Sequence, residues 1–155
     1  MSNNDILRRI RYTFDLNDTK MIDIFGLADL NVTRAQISDW LKKDDDPAFQ
    51  ELSDEQMSTF LNGFIIEKRG KKEGAQPIPE KILNNNIVFR KLKIALNLKD
   101  EDILDIFKLV DIRLSKHELS AFFRSPNQSQ YRPCKDQFLR NFLQGMQIVY
   151  HDRKK

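Results

Sequence analysis

The chain has 155 residues, of which 40% are apolar and 32% charged, with five glycines and five prolines. Such a chain buries about two thirds of the surface that its unfolded form exposes, which excludes whole-chain disorder and any need for staples. Its 26 basic against 23 acidic residues leave a net charge of +3, an excess that permits nucleic-acid binding without arguing for it.

One cysteine, Cys134, excludes an internal disulfide, and with His117 and His151 as the only histidines there is no cluster spaced for zinc. No metal and no cofactor is expected. The opening MSNNDILRRIR holds no apolar core of signal-peptide length, and no apolar run approaches the roughly 20 residues that cross a bilayer, so the expected compartment is the cytoplasm, away from the membrane.

In chain order, Ile6, Leu7, Ile10 and Phe14 recur at helical spacing and predict a first helix with one core face. A second helix is expected after Asp18, read as its N-cap, with Met21, Ile22, Ile24, Phe25 and Ala28 apolar over a wide arc. Thr33 and Gln36 have the spacing of a capping box, opening a third helix that buries Ile37, Trp40 and Leu41. A fourth opens near Ser53 and Asp54 and carries Met57, Phe60, Leu61 and Phe64. It accepts Gly63 in mid-helix at a cost of about 1 kcal/mol relative to alanine, for which close approach of a neighbouring backbone is the simplest reason. Phe49, in the loop before it, is expected to plug the edge of the core.

The chain then repeats itself. A shift of 82 positions aligns Asn3 with Asn85 and runs without a gap to Gly63 against Gly145. Arg8 matches Arg90, Leu16 matches Leu98, Asp18 matches Asp100, and the block Asp23, Ile24, Phe25, Leu27, Asp29 recurs as Asp105, Ile106, Phe107, Leu109, Asp111. Val88, Phe89, Leu92 and Leu96 restate the first helix, Ile103, Leu104, Ile106, Phe107 and Val110 the second. Ser115 with Glu118, then Leu119, Phe122 and Phe123, restate the third, and Tyr131 stands where Phe49 did. Between the copies, GKKEGAQPIPEKIL reads as a linker, since Gly70, Gly74, Pro77 and Pro79 end a helix and favour extended backbone. The expected fold is therefore all-α: two tandem four-helix repeats, 1–70 and 85–155, joined by a linker over 71–84 and related by the 82-residue offset. One such repeat alone has a modest core, so packing of the two about a pseudo-twofold axis is expected.

Three stretches, FLNGFIIEKRGKKEG from Phe60 to Gly74, the start NNNIVFRKLKIAL, and DQFLRNFLQG from Asp136 to Gly145, resemble the YehS-like bacterial proteins, whose duplicated domain is known as domain of unknown function 1456. The resemblance covers essentially the whole chain. It implies a bacterial origin and a duplicated architecture, and it brings no substrate, catalytic residue or cofactor.

Function has to be sought in the residues. A nucleophilic Cys134 needs a base, which only His117 could supply in space; since Cys134 matches Leu52, a small buried residue is the simpler reading. Asp23, Asp29, Asp105 and Asp111 could form acid and base pairs, but pairing of Asp23 with Arg8 and Asp105 with Arg90, with Asp29 and Asp111 serving turns, accounts for them structurally. The segment from Thr19 to Lys43 resembles a helix-turn-helix around Leu30, Asn31 and Val32. It would offer Arg34, Gln36, Ser38 and Lys42 to DNA, and the second copy Lys116, His117, Ser120 and Arg124. Against this stand Asp39 and the run Asp44, Asp45, Asp46, which repel phosphate.

Basic residues gather elsewhere: Arg8, Arg9 and Arg11 on the first helix, Arg90, Lys91 and Lys93 on its counterpart, Lys68, Arg69, Lys71 and Lys72 after the fourth, and Arg153, Lys154 and Lys155 at the end. Converging, they would form a basic strip; separately, those at helix C-termini complement the helix dipole. No aromatic suited to base stacking stands out as exposed. Asn3, Asn4, Asn85 and Asn86, as helix caps beside EKRGKK, are the other candidates for an anion site. The expectation is a non-enzymatic, macromolecule-binding module, for protein interaction or regulation, with an unknown protein as the first partner and nucleic acid as the alternative.

Overall fold

The computed structural model describes residues 1–154; Lys155, the last of the C-terminal cations, lies outside the described residues. Every regular element among the described residues is helical, and the chain forms two compact units, Met1–Leu83 and Asn84–Lys155. The first holds α1 (Asn3–Thr13), α2 (Asp18–Leu27), α3 (Arg34–Leu41) and α4 (Asp54–Arg69). The second holds α5 (Asn85–Ala95), α6 (Asp100–Lys108), α7 (Lys116–Ala121) and α8 (Asp136–Tyr150), followed by a 3-10 turn at Asp152–Lys154.

The capping boxes read from sequence are formed. Thr33 and Gln36 cap the N-terminus of α3 and Ser115 and Glu118 that of α7, each pair satisfying backbone donors that the helix leaves free; a third box, beyond the two expected from sequence, pairs Ser53 with Gln56 at the start of α4. The start of α2 is corrected by one residue: Asn17, not Asp18, is the N-cap, its side chain accepting from the Lys20 N–H at 2.8 Å. Asp18 sits in the first turn, where its charge suits the helix dipole. At their C-termini both α2 and α6 end in the same hydrogen-bonded turn, with Asp29 and Asp111 in the left-handed region at φ 66° and 61°. Leu30 N–H reaches back to Phe25 O and Ile112 N–H to Phe107 O, which satisfies carbonyls the helix end would orphan. These aspartates do serve turns.

Each unit closes its core by laying its last helix against its second. In the first, Phe60 of α4 meets Phe25 of α2 at 5.1 Å between centroids, and Phe25 meets Trp40 of α3 at 5.4 Å. In the second, Phe142 of α8 meets Phe89 at 4.7 Å and Phe107 at 5.7 Å. Burying such a ring contributes about 1.5–3 kcal/mol. Gly63 lets α4 approach so closely that a β-carbon there would lie 1.9 Å from the Ile24 carbonyl oxygen. Gly145 stands in the same way over Ile106, at 2.7 Å from its carbonyl oxygen.

The asparagines differ from their expected capping role. Ser2 and Asn84 are the N-caps of α1 and α5, and the asparagines that follow are used inside the fold. Asn4, fully buried, donates to Trp40 O and Gln50 O at 2.9 Å each and accepts from Leu52 N–H at 3.0 Å. Asn86 repeats this at the second unit's equivalent positions, donating to Phe122 O and Arg132 O and accepting from Cys134 N–H at 2.8 Å. Each pins the loop before the last helix to the first helix. Asn3 and Asn85 likewise donate to Asp54 and Asp136 at 2.7 and 2.8 Å. Their amides are thus spent on protein groups and are not turned to an anion at these helix starts.

The connecting segment is not loose throughout. Glu80 exchanges hydrogen bonds with Ser58 of α4, its N–H donating at 2.9 Å and its carboxylate accepting at 2.5 Å, and Leu83 N–H donates to Asp54 at 2.9 Å. The end of this segment therefore belongs to the first unit.

Candidate functional site

The first unit carries a surface cleft of about 690 Å³ between α1, the start of α2 and the end of α3, lined by Arg8, Arg11, Tyr12, Asp18, Ser38 and Lys42 among others. Tyr12 is 52% exposed, an accessible aromatic that the sequence had not singled out. The cations of this cleft are all paired. Arg8 does not meet Asp23; its guanidinium bonds Asp5 at 2.7 Å and Asp44 at 3.2 Å and donates to the carbonyls of Leu41 and Lys42. Asp23 is exposed on α2. Arg11 bonds Asp18 at 2.7 Å, and Lys42 bonds Asp39 at 2.8 Å and the Ser38 hydroxyl at 3.1 Å. Burial works to raise the Asp5 carboxyl, but the Ser2 donors and Arg8 outweigh it and hold it below its ordinary range.

The second unit has another cleft of about 590 Å³, at a different place, bounded by Leu96, Leu98, Ile106, Leu109 and Tyr150 with Asp102 and Asp105 on its rim. Its basic residues are arranged differently from those of the first. Arg90 is exposed and, among the described residues, has no ion pair; Asp105, its expected partner, meets Lys108 at 3.6 Å instead. Lys93 lies 3.7 Å from Asp100 and 4.4 Å from the centroid of the Phe123 ring. Arg124 donates to Gln130 at 2.9 Å and to the Ser120 hydroxyl at 3.3 Å, both neutral groups. Lys91 is 7% exposed and so is not part of a solvent-facing row.

Of the remaining basic candidates, Arg9 is half-buried, and Lys68, Arg69, Lys71 and Lys72 are exposed at and beyond the end of α4. Lys68 lies 4.8 Å from the Phe14 ring centroid, a cation–π contact within the first unit. The helix-turn-helix likeness weakens in three dimensions. Six residues separate α2 from α3, α7 has only six residues, and Gln36 and Glu118 are engaged in capping.

The groups considered for catalysis are placed unfavourably for it. Cys134 is buried, and burial, with Asp136 nearby, pushes its thiol up to about 12, so the nucleophilic thiolate is scarce at neutral pH. His117 is exposed on α7, and His151 is buried with Nδ1 at 3.2 Å from Asp152. No group of three or more His, Cys, Asp or Glu side chains among the described residues is placed to hold a metal. Among the same residues no helix is long and apolar enough to cross a membrane.

Charge divides unevenly between the units. Residues 1–83 carry 12 basic and 15 acidic side chains, a net −3, whereas residues 84–155 carry 14 and 8, a net +6. The overall +3 conceals this, because the two contributions partly cancel.

Two helical units on one plan, with oppositely charged surfaces, define a tandem-repeat all-α protein. The chain belongs to the family described as protein of unknown function (DUF1456), which matches it twice, over residues 3–70 and again over 85–151. It is 44% identical to the "Uncharacterized protein YehS" of Escherichia coli (strain K12), with 99% of each chain covered. No solved structure matches it.

Proposed function

We propose that this protein is a cytoplasmic, non-enzymatic module that binds another macromolecule, and that the macromolecule is nucleic acid, held by the second repeat. The observation that carries this reading is the charge division: the same scaffold is built once at −3 and once at +6. A stability requirement would act alike on both copies, whereas a polyanionic partner asks for cations on the copy that meets it. Burial that keeps the Cys134 thiol protonated argues against that residue as a nucleophile.

The test is binding of the purified full chain to mixed-sequence duplex DNA and RNA as salt rises from about 50 to 200 mM, read as log affinity against log salt. A steep linear fall is expected. No binding at the lowest salt overturns the reading. A protein partner would then take its place, favoured by one feature: Ile78 and Ile82 are 87% and 81% exposed on the connecting segment, beside residues that Ser58 and Asp54 pin to α4.

A further inference from the structure

Because the chain holds two versions of one unit, each residue of the first cleft can be compared with its counterpart 82 positions on. The cations are kept: Arg8 becomes Arg90, Arg11 becomes Lys93 and Lys42 becomes Arg124. The hydroxyl is kept as well, Ser38 becoming Ser120, and it bonds the same cation in both units, Lys42 at 3.1 Å and Arg124 at 3.3 Å. What is lost is the neutralising charge. Asp5 and Asp44, which hold Arg8, are replaced by Ile87 and Pro126; Asp39, which holds Lys42, is replaced by Ala121. Asp15 on the cleft rim becomes Asn97, and Asn17 becomes Lys99. Only Asp100 survives among the direct partners, and its distance to Lys93, 3.7 Å, is longer than the 2.7 Å of Asp18 to Arg11.

In the second unit Arg90 and Lys93 lie three residues apart on one side of α5, and Lys93 stands over the ring of Phe123, the residue before Arg124, so the ends of α5 and α7 carry their cations side by side. Phe123 in turn packs on Phe89 at 4.8 Å. Packing at the foot of these cations is therefore apolar; Arg90 is exposed, and Lys93 and Arg124 are partly exposed. An anion approaching the first unit's version must displace carboxylates already bonded at 2.7–3.2 Å. At the second, Arg90 has no carboxylate among the described residues to give up, and the fork of Arg124 would exchange a neutral amide for a charged oxygen, a stronger partner.

We infer that Arg90, Lys93 and Arg124 form an open phosphate-holding face on the second repeat, contacting the backbone of a nucleic-acid chain, and that the first repeat carries the same face closed by its own carboxylates. This rests on the nucleic-acid reading above and names the residues that perform it. Two consequences follow from the geometry: removal of charge matters on the second face, and removal of carboxylates matters on the first.

The experiment uses the full chain, with fluorescence anisotropy against mixed-sequence duplex DNA and circular dichroism as a check of folding. The double variant Arg90→Ala/Arg124→Ala removes two phosphate contacts. The loss of affinity between about 50 and 200 mM salt should shrink by about tenfold, from a slope of roughly 0.9 per contact. Arg90→Lys/Arg124→Lys should restore most of that salt dependence. Asp5→Asn/Asp39→Ala/Asp44→Asn, which takes the carboxylates off Arg8 and Lys42, should strengthen binding and steepen the slope; no gain overturns the closure of that face. If the wild type binds and Arg90→Ala/Arg124→Ala binds equally well with an unchanged slope, this assignment falls while the nucleic-acid reading stands. If the wild type binds neither DNA nor RNA at the lowest salt, the reading itself falls, and this inference with it. Capture of polyglutamate in place of nucleic acid, lost on the same two substitutions, would reassign the face to an acidic protein and overturn the nucleic-acid partner.

Discussion

Replacing Gly63 by alanine separates two effects that the helix interior normally confuses. By helix propensity alone the change stabilises by up to about 1 kcal/mol. In the folded protein the new methyl would lie 1.9 Å from the Ile24 carbonyl oxygen and 2.9 Å from its carbon, both backbone atoms that no rotamer change can move. Carbon and carbonyl oxygen approach no closer than about 3.3 Å, so α4 must back away from α2 by something over 1 Å. That shift loosens the packing of Phe60 on Phe25, at the centre of the first unit's core. Overpacking costs about 1–3 kcal/mol and somewhat more when the backbone itself must move, so a net loss of about 2–3 kcal/mol is expected. For a cooperative unit of this size that is a fall in Tm of about 10–20 °C, measured by circular dichroism, with urea unfolding as a second readout. Gly145→Ala should cost less, since the closest approaches there are 2.6 Å to a side-chain methyl and 2.7 Å to the carbonyl oxygen. Gly26→Ala, where nothing lies within 4 Å, should stabilise. An unchanged or raised Tm for Gly63→Ala would refute the close helix approach.

Two further outcomes are expected. Asn86→Ala leaves the carbonyls of Phe122 and Arg132 and the N–H of Cys134 without their partner, a loss of about 3 kcal/mol in urea unfolding, matched by Asn4→Ala in the first unit; a cost below about 0.5 kcal/mol would show that these bonds do not hold the loop. Cys134, raised to about 12 when folded, should react with a thiol reagent at pH 8 only slowly until denaturant is added, and immediate native-state reaction would contradict its burial. Because the raised value favours the protonated thiol in the folded state, its contribution to stability is complete below the unfolded thiol's ordinary value of about 9 and is lost as pH climbs from there toward about 12.

The architecture was readable because the two periodicities reinforced one another: helical spacing within each element, and the 82-residue offset between copies. Ile6, Ile10, Met21, Phe25, Ile37, Phe60 and Phe64 are all buried where that spacing put them. Gly63 and Gly145 were legible as close approaches because mid-helix glycine carries a cost that demands a reason. The polar side chains were harder, since helical spacing says which face a residue occupies and nothing of its long-range partner. Asn4 looked like a cap because asparagine favours helix starts, but the start was taken by Ser2, and the partners of Asn4 lie 36 to 48 residues away. Arg8 was paired with Asp23 on the assumption that neighbouring helices share charges, when its reach instead ends at the chain leaving α3. Lys91 sits among basic residues in the sequence and is nonetheless buried.

The duplication supplies a control that a single domain lacks. Features required by the fold should appear in both units, and they do: the buried asparagine, the glycine at the helix crossing, and the aspartate in the left-handed turn all recur at the 82-residue offset. Drift without selection would scatter changes over all exposed positions and both signs of charge. On the α1–α3 face and its counterpart most charge changes run one way, with Asp5, Asp15, Asp39 and Asp44 giving way to Ile87, Asn97, Ala121 and Pro126 while Arg8, Arg11 and Lys42 remain cationic as Arg90, Lys93 and Arg124; against them stand Lys43 becoming Ser125 and Gln36 becoming Glu118. Stability does not explain that direction, because exposed ion pairs contribute at most about 1 kcal/mol each and their loss leaves like charges to repel. Positive charge kept with Asp100 alone of its direct carboxylate partners is a cost to the isolated unit, and a polyanion bound against it is what would offset that cost.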